Sequence, residues 1–181
     1  VSAVEYHHWV SHEDGFYEND NAWVPKSPDG ENAVALFGQA TDLTIGLLSD
    51  HSLDGIVMAN NTNVTFRPAG PVPNGERGDN RFISVKNANV ENAFLRLHSV
   101  GADTADVSLH VEDTLTVDGN VHVVHGARIS ARDFNLGTNP AVPTSGWIFG
   151  NDSVTGASSV NVHTVEIGNG ARASLLLDSG A

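Results

Sequence analysis

The chain of 181 residues has 22 acidic and nine basic residues, a formal net charge of −13, and no cysteine. This charge repels phosphate groups, which argues against binding to nucleic acid and to anionic membranes, and the missing cysteines exclude disulfides and thiolate metal sites. No apolar run approaches the length of a membrane-spanning helix. These features suit a secreted, extracellular protein, and we expect that any signal peptide has been removed.

Residues 1–38 differ from the remainder because they contain two of the three tryptophans and both tyrosines. We predict that this segment caps one end of the core, where strands would otherwise expose open edges to water. The aromatic residues assigned to the cap are Tyr6, Trp9, Phe16, Tyr17 and Trp23.

Short strands separated by turns are predicted from residue 39 onward. Leu43-Thr44-Ile45 alternates in polarity, and Ile56-Val57-Met58 is typical of a buried strand. Residues 67–80 contain three prolines and three glycines, so we predict a surface excursion there.

The stretch 107–131 has the clearest pattern, because apolar residues occupy nearly every odd position. This period of two indicates half-buried strands and excludes a helix. Asp118-Gly119 resembles a hairpin signal, but a two-residue loop would pair Val117 with the polar Asn120. Either a three-residue loop or a corner would keep apolar residues opposite one another, and we favour a corner at Asp118-Gly119, where the chain bends and its inward side chains stay inward.

A second excursion is predicted at 137–158, after which alternation resumes at Val160. Gly126-Ala-Arg-Ile-Ser130 recurs as Gly170-Ala-Arg-Ala-Ser174, a spacing that fits two coils of about 22 residues each. The pattern predicts an all-β fold, a β-solenoid over 39–181. A β-sandwich is the alternative, with antiparallel hairpins in place of corners.

The opening of the chain resembles the head of secreted bacterial β-solenoid surface proteins of the autotransporter-passenger and PEP-CTERM-associated kind. The resemblance is carried by Trp9, by Asn19 to Trp23-Val24-Pro25, and by the turn Asp29-Gly30-Glu31. Val165-Glu166-Ile167-Gly168-Asn169-Gly170-Ala171 is similar to the strand-corner unit of such chains. The resemblance implies a right-handed parallel β-helix on a cell surface, acting as a scaffold or adhesin without catalytic residues.

Acidic residues near the N-terminus provide oxygen ligands of the kind that calcium prefers. The candidates are Glu13, Asp14, Glu18 and Asp20. No calcium-binding loop motif accompanies them. We expect no cofactor, and calcium is the alternative.

Two candidate binding features lie in the predicted excursions. Trp147 and Phe149 could stack on a sugar ring, or pack their loop against the coil. Arg77-Gly78-Asp79 could act as a short adhesive motif in an exposed loop, although such tripeptides also occur by chance.

The polar face of the central strands offers a further groove. His110, His122 and Glu112 would line it with Arg128 and Arg132. A pair of acids beside such a groove would be typical of glycoside hydrolysis. The alternative is an exposed face of mixed charge.

The sequence therefore predicts a non-enzymatic structural or adhesive protein that assembles with copies of itself into filaments or a surface layer. Its partners would be other copies and cell-surface glycans. The alternative is a β-helix that binds or cleaves carbohydrate.

Overall fold

The computed structural model describes residues 3–69, 80–99, 106–149, 158–168 and 172–178. These residues form thirteen strands and one 3-10 turn, Asp20–Ala22, and they contain no α-helix, in agreement with the predicted all-β class. Accordingly, the described part of the chain has no helix suited to crossing a membrane. The strands are β1 (Glu5–Trp9), β2 (Gly15–Phe16), β3 (Trp23–Val24), β4 (Gly30–Phe37), β5 (Asp42–Leu47), β6 (His51–Met58), β7 (Asn63–Pro68), β8 (Arg81–His98), β9 (Val107–Val124), β10 (Arg128–Leu136), β11 (Thr144–Phe149), β12 (Ser159–Ile167) and β13 (Ala173–Asp178).

All thirteen strands belong to one curled, mixed sheet with the form of a half-barrel. Among the described strands, β1 and β3 form the one antiparallel pair, and every other pairing is parallel. The antiparallel hairpins expected of a β-sandwich are therefore not found in the described part of the chain.

The long strands β8 and β9 join two runs of parallel pairing. Their first halves pair with β6 and β10, in a run that also includes β1, β4 and β12, which we call the first run. Their second halves pair with β7 and β11, in a run that also includes β2, β5 and β13, which we call the second run. The chain thus passes from one run to the other through bends within β8 and β9.

The bend in β9 lies at Gly119, as predicted. A β-carbon at this position would lie 2.3 Å from the backbone oxygen of Ala93, so a side chain would clash with the neighbouring strand. Asn92 bends β8 at the same level with a φ of 46°, in the left-handed region that asparagine tolerates better than most residues. The backbone N–H of Asn61 donates to the carbonyl oxygen of Asn92 over 2.7 Å. Adjacent turns are therefore linked at this corner.

The core lies on the concave side of the sheet. The odd positions of the central stretch are buried as the period-two pattern predicted: Val107, Leu109, Val111, Leu115, Val117, Val121, Val123 and Ile129. Burial of each aliphatic side chain contributes roughly 1.5–3 kcal/mol relative to leaving it exposed. Inward packing from both runs stabilises the sheet.

An aromatic cluster fills the N-terminal end of this core. Trp23 packs edge-on against Trp9 and Tyr17, with ring centroids 5.1 Å apart in both pairs, and its indole N–H donates to the carbonyl oxygen of Tyr17 over 2.8 Å. Tyr6 and Phe16, predicted to share this role, are instead exposed. For Tyr6 the reason is strand alternation, because the neighbouring residue on β1 points inward.

Two of the predicted boundaries differ from the structure. Arg67 and Pro68 end strand β7 rather than beginning an excursion, and β11 lies inside the predicted excursion 137–158. The last residues of the two similar segments do not lie two coils apart on one face, because Ser130 pairs with Asn161 in the first run and Ser174 pairs with Ser145 in the second run. A fixed repeat is absent from the described residues because loops of different length connect the strands.

Candidate functional site

Three of the four carboxylates predicted to bind calcium have separate protein partners. Asp14 Oδ1 accepts a hydrogen bond from the backbone N–H of Thr44 over 2.6 Å, and Asp20 Oδ1 accepts from the N–H and hydroxyl of Ser27 over 3.0 and 2.7 Å. Glu13 is exposed. Within the described ranges no three His, Asp or Glu side chains are grouped in a way that could hold a metal ion. Calcium binding stays a prediction.

Glu18, the fourth candidate, joins β6 to the N-terminal end. Its Oε1 accepts from the N–H groups of Leu48 and Ser49 over 2.9 and 2.8 Å, and lies 2.9 Å from Nε2 of the buried His51. Burial alone would raise the pKa of Glu18, but the hydrogen bonds from His51, the backbone and the Ser49 hydroxyl lower it to about 2. His51 also packs on Tyr17, with ring centroids 4.2 Å apart. Glu18 therefore anchors the aromatic cluster to the adjacent strand.

The other predicted binding residues lie on β11 or outside the described part of the chain. Trp147 and Phe149 lie in β11, where Trp147 pairs in register with His122, but their side chains lie outside the described part of the structure. Arg77, Gly78 and Asp79 lie outside the described residues altogether.

A first groove runs across the outer face of β9, β10 and β12, with a volume of about 450 Å³. We call it the His110 groove. Nδ1 of His110 lies 2.7 Å from the hydroxyl oxygen of Ser130, its register partner on β10. The polar residues that line the groove are His110, Glu112, Ser130, Arg132, Asn161 and His163.

The acids around the His110 groove do not form the pair that glycoside hydrolysis uses. Arg132 Nη1 lies 2.8 Å from Asp113 Oδ1, and Arg132 Nε donates to Asp133 Oδ2 over 3.2 Å. Among the described residues that line the groove, Glu112 is the one carboxylate. The arrangement can hydrogen-bond a polar ligand, and a glycosidase mechanism would need a second acid.

His122 does not share this groove, contrary to the sequence-based grouping of His110, His122 and Glu112. The two histidines lie on either side of the bend at Gly119, and the second half of β9 pairs with β11 instead of β10. The bend therefore places His122 on the outer face of the second run.

A second groove lies on that face, with a volume of about 460 Å³. We call it the Arg96 groove. The guanidinium carbon of Arg96 lies 4.8 Å from the ring centroid of Phe94, in a cation–π arrangement, and the Phe94 and His122 rings are 4.4 Å apart at 76°. The polar residues that line the groove are Asp14, Asp42, Thr44, Asn63, Thr65 and Arg96.

A cluster of basic side chains adjoins the Arg96 groove. Burial and the nearby Arg96 guanidinium lower the pKa of His122 to about 4. Burial, His125, Arg96 and Arg67 together lower the pKa of His98, and the His98 and His125 rings are 4.8 Å apart. Burial is the larger cause of both shifts, and the neighbouring positive charges lower the pKa values in the same direction.

The sequence analysis missed this cluster. Its members come from β7, β8, β9 and the turn that follows β9, and no local motif connects them. Arg96 and His98 are two positions apart on one strand, which is the one signal that the linear sequence offers. The other members of the cluster come close to Arg96 through the register of the neighbouring strands.

Comparisons of this chain with protein-family models, with curated proteins and with solved structures found no match in any of the three.

Proposed function

We propose that this chain is a non-enzymatic, extracellular structural or adhesive protein, built as a right-handed parallel β-helix with an aromatic N-terminal cap, which associates with other copies of itself. The parallel pairing in two runs and the bends at Asn92 and Gly119 support the β-helix. The similarity of the opening segment to secreted bacterial β-solenoid surface proteins supports a location on the cell surface.

The observation that carries the proposal is the exposure of apolar residues at the β12 edge of the sheet. Phe134 and Leu136 on β10 are 2% and 0% exposed, whereas their register partners on β12, Val165 and Ile167, are 45% and 46% exposed. β12 pairs with β10 along one side, and within the described residues no strand pairs along its other side. Inward positions of the fold therefore remain uncovered at this edge.

We assign the β12 edge to a second copy of the chain. An edge strand offers a row of backbone N–H and C=O groups that an added strand can pair with, and the exposed valine and isoleucine add apolar area. The opposite end is filled by Trp9, Tyr17 and Trp23, so head-to-tail stacking is disfavoured there. Pairing through β12 edges would join two copies, and a filament or layer would need a further contact.

The acidic surface sets the conditions for such association. With a formal net charge of −13, two copies repel each other at low ionic strength. Salt or calcium would weaken this repulsion, so assembly should strengthen when either is added.

The test is the molar mass in solution, measured by light scattering across a range of protein concentrations, with and without millimolar calcium. We expect the mass to rise with concentration, and we expect Val165→Lys to keep the protein monomeric because an inward-pointing charge blocks edge pairing. Val24→Lys is the matched control, since Val24 is exposed on β3 at the opposite end.

A wild-type protein that stays monomeric under all these conditions would refute the assembly proposal. Assembly by Val165→Lys equal to that of the wild type would refute the role of the β12 edge. Loss of assembly in Val24→Lys alone would show that the contact between copies lies at the N-terminal end instead of the β12 edge.

A second candidate function is carbohydrate binding or cleavage at the His110 groove. The observation that favours it is the set of imidazole, hydroxyl, amide and carboxylate groups along one open groove, since these groups can bond sugar hydroxyls. A glycan array tests binding, and a reducing-sugar assay with Glu112→Gln tests cleavage. Absence of signal in both assays would exclude this candidate.

A further inference from the structure

The Arg96 groove combines two chemical features that lie at different ends of one cleft. Asp14 precedes β2, Asp42 lies on β5 and Asn63 on β7, whereas Arg96 lies on β8, at the other side of the groove in the strand order β2-β5-β7-β8. The volume of about 460 Å³ falls in the range of small-molecule sites. A single ligand could therefore contact both groups.

Arg96 lines the groove, and strand register places further basic and imidazole side chains beside it. Gly46 pairs with Arg67 on β7, and Thr65 pairs with Arg96 on β8. Arg96 pairs in turn with His122 on β9. Outward positions of three adjacent strands thus bring positive and imidazole groups together.

Arg67 and Arg96 have no carboxylate partner in the described part of the chain, where the ion pairs involve other basic residues. This is unexpected in a protein with more than twice as many acidic as basic residues. Burial is the largest cause of the lowered pKa of His122 and of His98, and the positive charge of Arg96 lowers the pKa of both further. At neutral pH both imidazoles are mainly uncharged, so the two arginines provide the charge.

Phe94 holds the Arg96 side chain by the cation–π contact, which restricts the guanidinium before any ligand arrives. An ordered guanidinium suits a carboxylate, because its planar fork can donate two parallel hydrogen bonds. Phe94 is therefore a positioning residue for Arg96.

At the other end, Asp42 Oδ1 accepts a hydrogen bond from the side-chain amide of Asn63, and Asp14 Oδ1 accepts from the backbone N–H of Thr44. These bonds orient the carboxylates, whose remaining lone pairs can accept from ligand hydroxyls. A ligand with phosphates along its whole length would be repelled by these acids. The fitting ligand carries hydroxyl groups at one end and a single anionic group at the other.

We propose that the Arg96 groove binds an acidic saccharide, with the carboxylate of a uronic-acid unit on Arg96 and the sugar hydroxyls on Asp14, Asp42 and Asn63, while Arg67 adds positive charge beside the groove. This site goes beyond the proposed assembly and lies away from the β12 edge, so each proposal can fail alone.

The test is calorimetric titration of the full chain with trigalacturonate, with an uncharged galactose trisaccharide and with inorganic sulfate, all without calcium. We expect the acidic trisaccharide to bind best. Arg96→Gln should weaken its binding roughly ten- to hundredfold, the range for losing a charged hydrogen-bonding partner. Lys86→Gln is the matched control, because it removes one exposed positive charge from the same strand.

Two variants of Phe94 distinguish a role in positioning Arg96 from a role in folding the protein. Phe94→Leu should weaken trigalacturonate binding while Phe94→Tyr restores it, since tyrosine keeps an aromatic face under the guanidinium. Circular dichroism on each variant checks that the sheet is retained. Equal loss in Phe94→Leu and Phe94→Tyr would overturn the role of Phe94.

Four results would overturn the proposal as a whole. These are no binding of trigalacturonate by the wild type, equal binding of the uncharged trisaccharide, sulfate binding as tight as that of trigalacturonate, and a loss in Lys86→Gln equal to that in Arg96→Gln. Repeating the titration on Val165→Lys shows whether binding depends on assembly.

Discussion

Apolar residues are buried at the N-terminal end of the sheet and exposed at the β12 edge. At the N-terminal end, Trp9, Tyr17 and Trp23 are buried in an aromatic cluster that β3 helps to close. At the β12 edge, Val165 and Ile167 occupy inward positions but stay exposed. Because the same alternation underlies both ends, the difference lies in what covers each end, and it is the basis of our proposal that a second copy pairs with the β12 edge.

Removing a central side chain of the aromatic cluster is expected to have the largest effect on stability. Trp23→Ala should destabilise the protein by about 3–5 kcal/mol, the usual cost of deleting a buried large aromatic side chain. The free energy of unfolding, measured by denaturant titration, checks this value. A change below about 1 kcal/mol would mean that the N-terminal end is as loosely covered as the β12 edge.

A matched pair across the β10 and β12 ladder tests the other side of the comparison. Leu136→Ala should cost about 2–5 kcal/mol, since Leu136 is fully buried. Ile167→Ala should cost much less at low protein concentration, because its register partner on β10 covers it on one side alone. Equal losses in dilute protein would show that the β12 edge is already covered within the monomer.

The bend between the two runs gives a smaller expected effect. Gly119→Ala should destabilise by about 1–3 kcal/mol, as expected when a methyl group is forced into a filled space. Gly15→Ala is the control, because a β-carbon there would meet Trp9 at 3.6 Å, an ordinary contact. Thermal unfolding of both variants makes the comparison, and an unperturbed Gly119→Ala would contradict the close approach to Ala93.

The smallest expected effect concerns pH and Glu18. Its pKa is about 2 in the folded protein and near 4.5 when unperturbed, so the folded state binds this proton less readily than the unfolded state. The Glu18 contribution to stability is therefore present above pH 4.5 and is lost as the pH falls towards 2. Glu18→Gln should show a weaker decline of the denaturation midpoint between pH 5 and about 3 than the wild type.

Glu13→Gln serves as the control for this measurement, since Glu13 is exposed and its carboxylate makes no hydrogen bond with the described residues. A Glu18→Gln profile parallel to that of the wild type would contradict the anchoring role of Glu18.

The all-β class and the inward set of the central stretch were predictable from sequence. Alternation with a period of two depends on strand geometry alone. The apolar residues at odd positions between Val107 and Ile129 could therefore be assigned to the core without knowing their neighbours. The corner at Gly119 could be predicted for the same reason, because a hairpin would have broken the alternation. Strand β11 was missed, since its glycine and its surrounding prolines resemble a loop when its partners are unknown.

The functional surfaces depended on contacts that a linear sequence does not contain. The sequence grouped His110 with His122 because both lie at polar positions of the same alternating stretch, yet the bend places them on different faces. Arg67, Arg96 and His122 come together because parallel register aligns residues far apart in the chain. Alternation is a local property of the backbone and can be seen in the chain itself, whereas register and end coverage depend on loop lengths and on packing between distant strands.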